Sequence, residues 1–134
     1  MRVFPLSEAK DIYKRKYWHH PGFHRIAAHA PMLAGELFDT GVNMGPATAA
    51  GFLQRTLNAL NRNGRDYRDI VLDRKIGQQT IGALEAYLRK RGRLGEKTLI
   101  KAVEALQGAR YIYLAEKRPE NESFLFGWLK NRIG

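Results

Sequence analysis

Between Thr98 and Pro119 the residues Leu99, Ala102, Val103, Leu106, Ala109 and Tyr113 recur at three- and four-residue intervals. Side chains on a strand change face at every position, so only a helix gathers this set on one side. The same interval returns in Leu33/Ala34, Leu37/Phe38 and Gly41/Val42, in Ala49/Ala50, Leu53, Leu57 and Leu60, and in Ile81, Leu84 and Leu88. Pro31 and Pro46 stand where a helix can begin, because the first turn has no use for the N–H that proline lacks. Gly77 sets up a helix from about Gln78, KRGRLGEKT reads as a basic turn, and Thr98 is a plausible N-cap for the long stripe. Ser7, another N-cap residue, predicts a helix to about Trp18, and a last helix is expected from about Asn121 through Leu129. HHPGFH reads as a turn and NRNGRDYRD as a polar loop. The expected fold is mainly α, with about six helices, short connections and at most one short β element at Ile70-Val71.

A chain of 134 residues with 44% hydrophobic content fits a single domain over 1–134, a size that buries roughly two-thirds of its unfolded surface. It has no cysteine, which excludes disulfides, thiolate catalysis and thiolate zinc sites within the chain. Lys and Arg number 23 against 13 Asp and Glu, a net charge of +10 that favours encounter with polyanions without saying which. The opening MRVFPLSEAK lacks the apolar run of a signal peptide, and no segment has the length of a membrane span. The expectation is a protein made in the cytoplasm and brought to its place of action by another device.

Candidate chemistry is sparse. His19, His20, His24 and His29 cluster, and His20 and His24 are four apart, but Pro21-Gly22 interrupts the helix that a metal pair would need. No metal site and no cofactor are expected. KRKYWHH interleaves aromatics with cations, as a surface for stacked bases or sugar rings would, and as the end of an amphipathic helix also would. Tyr17 and Trp18 are adjacent, so one of them is expected in the core. Glu36 and Asp39 are neighbours on a helix face, close enough to separate their pKa values. Glycosidase carboxylates instead flank a sugar across a cleft, about 5 to 9 Å apart, and Asp39 and Asn43 also suit the holding of a helix end. Residue chemistry alone favours the structural account. No nucleophile elbow, phosphate-cradling glycine loop or HExxH motif occurs.

LFDTGVNMGPATAAGFLQRTLN, residues 37–58, resembles the F-D-x-x-V-N-x-G…A…L-Q-R block of glycoside hydrolase family 108, lysozyme-like N-acetylmuramidases of phages, prophages and bacteria. EAKDIYKRKYW, residues 8–18, is similar to the helix preceding that block, and LDRKIGQQTIGAL, residues 72–84, to its D-G-x-x-G-x-x-T segment, with Arg74 in place of the glycine. FLFGWLKNRI, residues 124–133, resembles the ending of the predicted peptidoglycan domain joined to such enzymes. The resemblance implies a lysozyme-like helical domain in which 1–45 is a remnant of the muramidase catalytic part and 37–134 is the peptidoglycan-binding part. It implies peptidoglycan glycan strands as partner and action at the cell wall or periplasm. Asp39, Asn43, Gln54 and Arg55 become support or substrate-binding residues, and Tyr17, Trp18 and Trp128 become candidates for stacking on sugars, with core packing favoured for Trp128. The family's acid, the Glu of an E-G-G-Y motif upstream of the first helix, has no counterpart in the sequence. The expectation is therefore binding with little or no turnover, unless a second chain supplies the missing segment. Glu36 and Asp39 remain weak catalytic candidates. Two rivals stand beside this one: a basic helical protein that binds nucleic acid, and an active muramidase that uses Glu36 or Glu8.

Overall fold

The computed structural model describes residues 15–118, 120 and 122–132, without the side chain of Arg132. Ser7 and the start of the first expected helix, together with Pro119 and Asn121, lie outside the described residues. Six helices and no strand occur among the described residues, a mainly α architecture. The first, α1 (Arg15–His19), is a π-helical turn closed by the His20 N–H on the Arg15 carbonyl, 2.8 Å away and five positions back. α2 (Phe23–Ala27) follows where the sequence pattern gave only a turn. Five residues are too few to display a period, yet Phe23 and Ile26 are wholly buried.

α3 (Pro31–Met44) and α4 (Pro46–Ala59) begin at the two prolines as expected and are separated by Gly45 alone. The first turn of α3 has no cap of its own; the Leu33 N–H donates to Glu96 Oε2 at 3.2 Å instead, across 63 positions. α5 (Gln78–Lys117) runs through the stretch expected as a basic turn, and α6 (Glu122–Arg132) folds back on its far end. The expected turn shrinks to Gly92, at φ 63° and ψ −152°, a conformation that only glycine adopts readily. The Arg, Leu, Glu and Lys around it are good helix formers, so the helix resumes at once. The Tyr87 hydroxyl donates to the Gly95 carbonyl at 2.7 Å and ties the two arms together. Thr98 is consequently no N-cap: it sits inside the helix and its hydroxyl donates to the Leu94 carbonyl.

The buried side of the second arm also differs from the expected stripe. Leu99 and Val103 are buried, but Gln107, Tyr111 and Ala115 continue the series while Ala109 and Tyr113 are exposed. A four-residue step advances about 40° around a helix, so the buried face winds from the main core toward α6. One hydrophobic cluster joins Phe23 and Ile26 of α2, Leu33 and Leu37 of α3, Leu53 and Leu57 of α4, and Leu84, Leu99 and Val103 of α5.

The loop between α4 and α5 is held by side chains rather than by a sheet. Asn58 accepts from the Ile70 N–H and donates to the Ile70 carbonyl, both at 2.9 Å, which reproduces the pairing a neighbouring strand would make. Asn61 pairs in the same way with both backbone groups of Tyr67. Gln54 accepts from the Arg74 N–H at 2.8 Å and donates to the Lys75 carbonyl at 2.9 Å. Gln54 and Asn58 on α4, with Asn61 just past its end, thus satisfy a segment running the other way with side-chain amides, and Ile70-Val71 is not part of any strand.

Candidate functional site

The Gln54 rung holds from behind the loop that lines a cleft of about 640 Å³. Its walls come from three places: His20 and Pro21 before α2, Pro46, Ala47 and Ala50 on the first turns of α4, and Asp73 to Ile76 in the loop. Gly22 packs so closely on Ile76 that a Cβ there would stand 3.2 Å from the Ile76 Cβ, and Arg25 Nη1 donates to the Ile76 carbonyl at 3.2 Å. The N-terminal helices and the loop are therefore anchored to one another beside the cleft.

Asp73 is the only carboxylate on its lining among the described residues. The Gln54 amide and the Lys75 N–H both donate to Asp73 Oδ1 at 2.9 Å. These bonds, that from Gln54 first, hold the Asp73 carboxyl below the ordinary aspartate range. It is a carboxylate at neutral pH and a poor proton donor. Arg74 adopts φ 63°, the left-handed conformation that a glycine would occupy freely. Its aliphatic stem lies on Gly51 of α4, where a Cβ would stand 3.4 Å from Arg74 Cγ.

A second cleft of about 280 Å³ lies between the end of α3 and the α5–α6 pair, lined by Asn43, Met44, Arg110, Tyr111, Leu114 and Trp128. The rings of Tyr111 and Trp128 stack at 5.0 Å, and Phe124 stacks on Trp128 at 6.1 Å.

Of the residues singled out from sequence, Asn43 and Trp128 meet at the second cleft, and the others do not join them there. Gln54 has no exposed surface, and its amide is engaged with Asp73, Lys75 and Thr80, so it shapes the loop from behind. Arg55, its neighbour, is exposed on α4. Asn43 donates to the Asp39 carbonyl at 2.8 Å, an exposed tie along α3, and reaches the smaller cleft. Asp39 is exposed and Glu36 half-buried, both on α3 and neither on the lining of either cleft. Tyr17 and Trp18 are both half-buried; Trp18 packs against the core, edge-on to Phe38 at 5.9 Å. Among the histidines, His20 lines the large cleft, the His19 and His24 rings lie 4.9 Å apart, and His29 faces Glu85 at 3.1 Å. No group of three potential metal ligands occurs among the described residues. Sequence reasoning noticed Arg74 as a departure but missed Lys75 as a cleft residue, and missed Arg110 and Tyr111 in the second cleft. The adjacency of two cations to Asp73 was the available signal for the former; the helical stripe concealed the latter.

Residues 48–133 match the family described as Predicted Peptidoglycan domain, and residues 1–45 match Glycosyl hydrolase 108. The chain belongs to the predicted peptidoglycan domain family. Comparison with curated proteins gives no match. In this peptidoglycan domain protein, His20 and Pro21 come from the glycosyl hydrolase segment, and Ala50 and residues 73–76 from the peptidoglycan domain. The large cleft therefore opens at the seam between the two. No helix among the described residues is long and apolar enough to cross a membrane.

Proposed function

We propose that this protein binds peptidoglycan at the cell wall, as a muramidase-type module with little or no glycan hydrolysis by itself. The observation that carries the proposal is the order of the two matched segments, with a solvent-open cleft at their seam. Low turnover is supported by the placement of the carboxylates. Hydrolysis needs an acid held protonated opposite a second carboxylate. Asp73 is held ionised, and Glu36 and Asp39 lie three positions apart on one helix rather than across a cleft. Glu8 lies outside the described residues.

The test is sedimentation of the full chain with purified wall sacculi, alongside release of reducing ends from the same material. Retention with negligible release is the expected outcome. Lysozyme-like release that disappears in Glu36→Gln would establish the active-enzyme alternative. Failure to sediment, combined with salt-sensitive retention on nucleic acid, would instead favour a nucleic-acid-binding role for the +10 charge.

A further inference from the structure

Arg74 holds a backbone conformation that disfavours any side chain, at φ 63°. Left-handed backbone is unfavourable for a residue with a Cβ, which crowds the neighbouring carbonyl oxygen there. Strain retained at a residue that lines a cleft points to a use for its side chain. A comparable strain at Arg62, φ 51°, has a structural return, since its guanidinium holds Asp66 by several hydrogen bonds. No carboxylate among the described residues pairs with the Arg74 guanidinium. Its stem lies along Gly51 and the residue lines the cleft, which keeps the cation beside it.

The rest of the lining narrows the ligand. Among the described residues no Phe, Tyr or Trp lines this cleft, and its one ring is the His20 imidazole, so it lacks the broad aromatic faces on which a sugar ring stacks. The described lining offers instead two adjacent cations, one carboxylate and apolar surface from proline, alanine and isoleucine, beside the His20 ring. Small apolar side chains with carboxylates and an amino group beside them are features of a short acidic peptide.

We infer that the seam cleft recognises the peptide moiety of the wall polymer rather than its glycan: Arg74 and Lys75 take peptide carboxylates, Asp73 takes an ammonium or amide N–H, and the apolar surface receives short side chains. This inference rests on the wall-binding proposal and names the part of the polymer that is held.

The experiment compares the full chain and its Arg74→Gly variant on two supports, intact sacculi and glycan strands stripped of peptide by an amidase. Glycine accepts φ 63° without strain, so the variant removes the cation while its melting temperature stays at or above that of the wild type, which is measured alongside. Retention of the wild type on intact sacculi, weakened about five- to tenfold in Arg74→Gly and lost on stripped glycan, is the expected result. A free acidic peptide carrying one amino group should displace the wild type from sacculi. Equal retention of wild type on both supports, or of the two proteins on sacculi, overturns the inference while leaving wall binding intact. No retention of the wild type on sacculi overturns both.

Discussion

The Gln54 carboxamide accepts one hydrogen bond and donates toward three acceptors at a point where water has no access. Removing it leaves the Arg74 N–H without its acceptor and takes a donor from Asp73 beneath the loop, so Gln54→Leu should destabilise the fold by about 2–3 kcal/mol. Chemical denaturation measures that directly, and a change below about 0.5 kcal/mol would show that the loop is held by other means. The neighbouring Arg74→Gly exchange has the opposite sign. Relief of left-handed strain outweighs the added freedom of glycine in the unfolded chain, for a gain of up to about 1 kcal/mol in the same assay. Asp73 adds a pH dependence. Its folded pKa is lowered below the ordinary 3.8, so its contribution is fully present above that value and is lost as pH falls through the lower folded one. The melting-temperature gap between wild type and Asp73→Ala should therefore be widest near neutrality and close toward the acid end. At this scale the sequence was least legible. Gln54 looked like a ligand because it stands beside Arg55 in a recognisable block, and nothing in a linear pattern reveals that an amide on α4 is paired with backbone twenty positions on.

Elements were more legible, and the exceptions share a cause. Pro31, Pro46 and Gln78 start helices where proline chemistry and apolar spacing place them, because those signals are local. The expected turn at KRGRLGEKT and the cap at Thr98 failed because a single glycine can redirect a helix without ending it. The long-range cap of α3 by Glu96 was equally out of reach, since its partners are 63 positions apart. Gly95 makes the kink testable. A Cβ there would fall 2.2 Å from the Arg91 Cβ, an atom that cannot swing away without moving backbone. Gly95→Ala should destabilise by about 2 kcal/mol or more, with altered near-ultraviolet dichroism from Tyr87, whose hydroxyl bonds the Gly95 carbonyl. An unchanged melting curve would mean that the two arms of α5 meet at a different angle.

For the molecule as a whole, the seam between the two matched segments falls inside one hydrophobic cluster. Phe23, Ile26, Leu33 and Leu37 belong to the segment before residue 46, are wholly buried, and pack with Leu53, Leu57, Leu84 and Leu99 from beyond it. Burying a large apolar side chain contributes about 1.5–3 kcal/mol, so these four account for about 6–12 kcal/mol. That matches the whole stability of an ordinary domain, about 5–15 kcal/mol. A chain restricted to residues 46–134 would keep the whole peptidoglycan domain match while exposing the other half of the cluster. It should show helical dichroism but no cooperative thermal transition, and it should bind hydrophobic dyes. Adding the 1–45 segment as a separate peptide should restore the transition, because the Gly22–Ile76 approach and the Arg25 bond to the Ile76 carbonyl rebuild the same seam. A cooperative melt of 46–134 alone, near the temperature of the full chain, would show instead that the matched segments fold independently and that the seam cleft is an interface between two units.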